Sequence, residues 1–198
     1  AGMTLRQVEQ AIGCATTGRF GRVFTTSLDP EVNKVIRFEG GKRITEWHTR
    51  MGSVRQVEHY SDDLERQGLP GRIEEYPLKT AKDYAVWEYI VEHIRWHPAY
   101  NEFRAYDDDI GADGLPMVNV GDAPFHQLIL DLVGYDNAFY HLVDFQAECE
   151  HLLAVMDEVE RVRLWPVIAA SPARLILHGV HLSSQFTPPP LFRKYILP

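Results

Sequence analysis

His178, His181, Ser183, Ser184 and Gln185 stand close together near the end of the chain, a cluster of side chains that can donate, accept and carry protons. An imidazole titrates near neutral pH, so His178 and His181 suit proton transfer, and the Gln185 amide suits orienting a polar substrate. A second set, Asn119, Asp122 and His126, offers an amide, a carboxylate and an imidazole for substrate binding. Each set has a plainer reading. Asp122 can cap a helix before Pro124, His126 can be an exposed helix residue, and Ser183 and Thr187 can bond their own loop. His178 and His181 fall short of the three or four ligands of a zinc site, so no metal ligand is assigned. The acidic run at 107–109 reads as a solvated face rather than a cation site. Arg50 and Arg55 either hold a substrate carboxylate or pair with Glu46 or Glu58, while Tyr84, Trp87 and Tyr89 read as packing.

Both polar sets need elements to deliver them. Residues 174–178 are dominated by Leu175, Ile176 and Leu177 and closed by Gly179, which suits a strand buried on both faces of a parallel sheet. Residues 115–120 (LPMVNV) form a second such run, closed by Gly121 and Asp122. Between them lie helical patterns at 124–133 and 145–170. The longer one carries Leu152, Met156, Val159 and Arg163 on a face with Cys149, with Asp144 as its cap and Pro166 as a kink. Three prolines then hold the loop extended before a helix begins at 191. Strand, helices, strand and helix argue for a parallel sheet with right-handed crossovers, in which both polar sets share one rim.

Upstream the pattern differs. Residues 23–26, 34–38, 43–50 and 53–60 are short β-prone stretches separated by Asp29-Pro30, Gly40-Gly41 and Met51-Gly52, which predicts a small antiparallel meander. A loop over 68–77 follows, then a helix opened by Thr80 and Asp83 that must end by Trp96 because Pro98 restricts His97. A more polar helix spans 99–110 and stops at Gly111. Thr4 caps a short helix that carries Leu5, Val8 and Ile12 on one face.

Composition narrows the function classes. With 45% hydrophobic and 24% charged residues among 198, the chain has the make-up of one ordinary globular domain, and no apolar run approaches a membrane span. A net charge of −8 repels a phosphate backbone, so nucleic acid is excluded as an expected partner. Cys14 and Cys149 form no Cys-x-x-Cys pair, which fits a reducing, cytoplasmic setting, and Ala1-Gly2 ahead of Met3 reads as a cleavage remnant.

EEYPLKTAKDY (74–84), VNVGDAPFHQL (118–128), FYHLVD (139–144) and SSQFTPPPLFRKYILP (183–198) together, and in this order, resemble the uroporphyrinogen decarboxylase-like superfamily. GGKRITEWHTRMGSVRQVEHY (40–60) is similar to an insertion in its methyltransferase-type members, where a Thr-x-x-Gly turn, here Thr49 to Gly52, joins two strands. The likeness runs from about residue 35 to the end. It implies an α/β fold: a partial (β/α)8 TIM barrel forming a single domain over 1–198. An antiparallel meander would occupy about 22–61, and βα units 74–198. A closed barrel takes ~250 residues, so the resemblance also implies a shortened chain. A half barrel with open edges would pair with a second copy or with its missing half, or aggregate.

The activity implied is transfer of a methyl group between a small methylated compound and a corrinoid protein or thiol. The alternatives are a tetrapyrrole decarboxylase and a non-catalytic binding module. Zinc and a corrinoid belong to the complete proteins of this kind. The His-x-Cys pair and later Cys that hold zinc there have no counterpart here, so this chain is expected to carry no cofactor of its own and not to turn over alone. The Arg-Gln-Ala-Gly-Arg segment of the decarboxylases is also missing, and Gly179-Val180-His181-Leu182 replaces a loop that often contains Asp. The first departure weighs against decarboxylation, and the second leaves the substrate open.

Overall fold

The computed structural model describes residues 2–16, 18, 21–67, 69, 71–179, 183–184 and 187–197. The fold is mixed α/β, and no barrel closes among the described residues. Contacts divide the chain into two compact units. One comprises residues 1–27, 96–123 and 161–198, the other residues 28–95 and 124–160.

The first unit is built on parallel pairing. β7 (Val118–Asn119) and β8 (Ile176–Leu177) pair in parallel, Val118 opposite Ile176 and Asn119 opposite Leu177. Amide bonds extend the ladder past the strands, with Val118 N–H donating to Leu175 O, Val120 N–H to Leu177 O and Gly179 N–H to Gly121 O. On the other side of β7, Gly21 bridges Val118 in parallel. A Cβ at Gly21 would stand 3.0 Å from both Met117 O and the Phe103 ring, so a side chain there would crowd this approach. β1 (Phe24–Leu28) and β6 (Ile94–Pro98) pair with each other, and the chain passes between the units within them.

Val23, Phe103, Val118, Val120, Leu164 and Ile168 form the core of this unit, and Phe103 comes from α4 (Tyr100–Ile110). The expected parallel order of the two strands is therefore present. The expected burial of the second on both faces is not, because Leu175 is 41% and Ile176 39% exposed. β8 has a partner on one edge only among the described residues, and no further strand covers it. α1 (Leu5–Ala11) is capped by Thr4 through a capping box, yet Leu5, Val8 and Ile12 remain exposed. A cap sets helix ends locally and does nothing to bury a face. Arg6 pairs with Asp109 and Asp113, and Arg174 with Asp107, so two members of the acidic run are ion-pair partners.

The second unit carries an antiparallel sheet in the order β2 (Asn33–Glu39), β3 (Lys42–Thr49), β4 (Gly52–His59), β5 (Ile73–Glu75). Gly40 and Gly41 take φ of 56° and 73°, as a two-residue hairpin turn demands. At the next hairpin, Thr49 Oγ1 donates to Gly52 O and accepts from Met51 N–H, which makes the Thr-x-x-Gly turn self-contained. The meander differs from expectation at both ends. Residues 23–26 leave it for β1, and β5 joins it from a segment read as loop, preceded by α2 (Asp62–Arg66).

α3 (Ala81–Glu92) begins where the Asp83 carboxylate accepts from the N–H groups of Lys79 and Thr80. Its apolar residues Val86, Tyr89 and Ile90 pack with Val32, Trp47 and Val54 of the sheet side. Ile94 falls in β6 rather than on the helix face, because the helix ends at Glu92.

α5 (Pro124–Gln127) runs into a π-helical turn, Leu128–Leu132, and α6 (Tyr135–Asp144) follows. Sequence periodicity did not separate α6 from its neighbours. α7 (Gln146–Val159) starts after Phe145 with no side-chain cap, so Asp144 ends α6 instead of capping α7. The long helix is interrupted by a π-helical turn at Glu160–Leu164, just before Pro166, and resumes as α8 (Trp165–Ala169). Pro166 lacks the N–H that an unbroken α-helix would use there. Finally, Pro189 and Pro190 lie inside α9 (Pro189–Tyr195) at its first turn, where proline's fixed φ suits a helix, rather than in an extended loop.

Phe103 is 1% exposed and Leu175 is 41% exposed. Phe103→Ala is expected to lower unfolding stability by about 3–5 kcal/mol, and Leu175→Ala by no more than about 0.5 kcal/mol, both read from urea denaturation.

Candidate functional site

Beyond the paired ends of β7 and β8 the chain makes two turns that share one anchor. Asn119 Oδ1 accepts the Gly121 N–H at 2.9 Å, a local Asx-type turn. His178 Nδ1 lies 3.1 Å from Gly121 O. A carbonyl oxygen only accepts, so Nδ1 carries the proton in this contact, and Nε2 of the neutral ring is left as the acceptor. The ring edge of His178 meets the face of Trp165 at 5.0 Å between centroids. Asn119 and His178 are both exposed, so the Asn119 amide N–H groups and His178 Nε2 are open to a ligand.

An open cleft of about 330 Å³ borders this rim, lined by Gly21, Arg22, Val23, Phe24, Val118 and Asn119. Val23 and Val118 are buried beneath it, and Phe24 is half-buried at its side. Arg22 stands exposed at its edge. Sequence reading passed over Arg22 because it precedes the strand, and only the parallel bridge from Gly21 to Val118 brings it beside Asn119.

The expected site residues separate as follows. Asn119, Asp122 and His178 belong to the first unit, and the β7/β8 ladder brings Asn119 and His178 to one end. Asp122 follows directly in the turn and is half-buried. His126 lies in the second unit and is 1% exposed, so it is neither a surface helix residue nor part of the described cleft. His181 and Gln185 lie outside the described residues. Ser183 and Ser184 are exposed, and Ser183 O accepts the Thr187 N–H. On the hairpin, Arg55 pairs with Glu75 rather than Glu58, and the Arg50 guanidinium lies over the Tyr89 ring at 5.0 Å.

The second unit holds a cluster that sequence spacing did not suggest. The Tyr84 hydroxyl lies 2.8 Å from His141 Nδ1 and 3.1 Å from Cys149 Sγ, with Tyr84 1% and Cys149 0% exposed. Burial pushes the Tyr84 hydroxyl and the Cys149 thiol up and holds His141 below its ordinary value, with Asp144 and Asp83 opposing the last shift. All three groups are therefore neutral near pH 7, and a neutral buried thiol is a poor nucleophile. Gln127 Nε2 donates to Glu160 Oε1 at 2.9 Å where the two π-helical turns begin, and burial raises the Glu160 carboxyl against that bond. These partners are far apart in sequence, so no local pattern announces them.

Among the described residues no three His, Cys, Asp or Glu side chains gather to hold a metal ion. The zinc implied by the resemblance therefore finds no fitting donor set among them. Comparison with protein-family models, with curated proteins and with solved structures returned no match.

Two outcomes follow from the buried cluster. In native protein, Ellman's reagent should titrate Cys14, which is exposed, and reach Cys149 only after denaturant is added. The unfolded chain takes up a proton on His141 near its ordinary value of 6.5, while the native site resists it until lower pH. Stability should fall as pH drops beneath that value, by about 1.4 kcal/mol per unit of depression, until the native group also titrates. His141→Gln should flatten this part of the pH profile, read from urea midpoints.

Proposed function

We propose that the chain is a uroporphyrinogen decarboxylase-like protein of the methyltransferase type, contributing part of a (β/α)8 wall whose rim binds the small methylated substrate. The observation that carries this reading is the parallel register of β7 and β8, which sends Asn119 and His178 out at one end. In barrels the C-terminal strand ends form the active face. The self-contained turn from Thr49 to Gly52 supports the methyltransferase-type branch of the resemblance.

In this reading Asn119 offers its amide N–H groups to a substrate oxygen, since its own oxygen is committed to Gly121. His178, with Nδ1 turned to the Gly121 carbonyl, takes at Nε2 the proton that an acceptor thiol loses as its sulfur gains the methyl. The Trp165 ring packs against His178 and supports its orientation. The acceptor is a corrinoid protein or a thiol.

The test is metal analysis and assay of the product of the gene's full reading frame. About one zinc per chain and methyl transfer from methylcobalamin to a thiol, followed by the cobalamin spectrum, is the expected result. His178→Ala should lower kcat/KM roughly a hundredfold and Asn119→Ala roughly tenfold. A metal-free protein that decarboxylates a porphyrinogen would overturn methyl transfer in favour of the decarboxylase, and one that does neither would leave a binding module.

A further inference from the structure

The polar side chains described at the cleft edge belong to Arg22 and Asn119. Asn119 accepts the Gly121 N–H with its oxygen and keeps two N–H groups. Arg22 is a permanent cation with five N–H donors and no acceptor. Among the described residues it has no ion-pair, hydrogen-bond or aromatic partner. It shares this with Lys82 and Arg193, and of the three Arg22 alone lines the cleft. Arg6, Arg37, Arg43, Arg55, Arg95 and Arg174 each have a carboxylate partner. Of the other described lining residues, Phe24 is half-buried, while Val23 and Val118 are closed off beneath it.

A cleft with N–H donors and a fixed positive charge at one edge and an aromatic ring beside them suits an anionic ligand with an apolar part. We infer that the cleft binds an organic carboxylate with an apolar or aromatic body, its carboxylate held by Arg22 and Asn119 and its body laid against Phe24. The inference rests on reading this rim as the substrate site, and it names the substrate class there: a methylated compound that also carries a carboxylate. A planar guanidinium can hold both carboxylate oxygens at once, which a lysine in its place cannot reproduce. The volume, about 330 Å³, lies at the small end of organic ligand sites and suits a single substituted ring.

The test uses benzoate as the probe and benzyl alcohol as its uncharged counterpart, titrated calorimetrically into the chain at low and high salt. Saturable benzoate binding that is at least tenfold tighter than that of benzyl alcohol and weakens with salt is expected. Arg22→Gln should abolish this preference, and Arg22→Lys should keep part of it. Arg22 is exposed and has no partner among the described residues, so both variants should melt with the wild type, which separates a binding effect from a folding one. Equal binding of the two probes, no benzoate binding, or an Arg22→Gln variant that binds benzoate like the wild type overturns the inference. Arg22-dependent benzoate binding in a protein that transfers no methyl group would retain the carboxylate site and sink the reaction. Methyl transfer without benzoate binding would do the reverse.

Discussion

The hydrogen bonds that join β7 to β8 fix where every polar group of the rim can be. Val118 N–H to Leu175 O, Val120 N–H to Leu177 O and Gly179 N–H to Gly121 O set a parallel register from which a slip of one residue would turn Asn119 to the opposite face. With the register held, Gly121 becomes a shared anchor whose N–H is taken by Asn119 and whose carbonyl takes His178. One residue thus orients the amide of the first strand end and the tautomer of the second. The same ladder carries Gly21 on its far side, and through it Arg22 reaches the cleft.

The second unit is organised by a different constraint, which is exclusion of water from polar groups that have already found each other. Tyr84, His141 and Cys149 come from three helices and bond within an apolar setting, where each stays neutral. An unpaired member would cost the full desolvation of its polar atom. Such a cluster specifies how α3, α6 and α7 meet more sharply than apolar contacts do. The sheet in front of α3 relies on hairpin geometry instead, with glycines at Gly40 and Gly41 and a threonine-closed turn at Thr49 setting the register of β2, β3 and β4.

Charge is distributed to match. Several arginines lie against carboxylates contributed by distant parts of the chain, such as Arg6 with Asp109 and Arg174 with Asp107. These exposed pairs contribute little stability individually, about 0–1 kcal/mol each. Arg22 has no such partner among the described residues and stands beside the N–H groups of Asn119 at the cleft.

Local chemistry determined a good part of this protein from sequence alone. The Thr4 and Thr80 helix starts, the Gly40-Gly41 turn, the end of α4 at Gly111 and the break near Pro166 depend on residues adjacent in the chain. The two apolar runs were legible as parallel neighbours because the helical patterns between them allow a crossover. Tertiary structure decided what no local pattern encodes: that Leu175 and Ile176 stay half exposed, that His126 is buried, and that Asp144 ends one helix rather than starting the next. It also drew Tyr84, His141 and Cys149 together and placed Arg22 beside Asn119. Burial and long-range contact depend on which surfaces the rest of the chain covers, and that sum over distant residues is not contained in any window of the sequence.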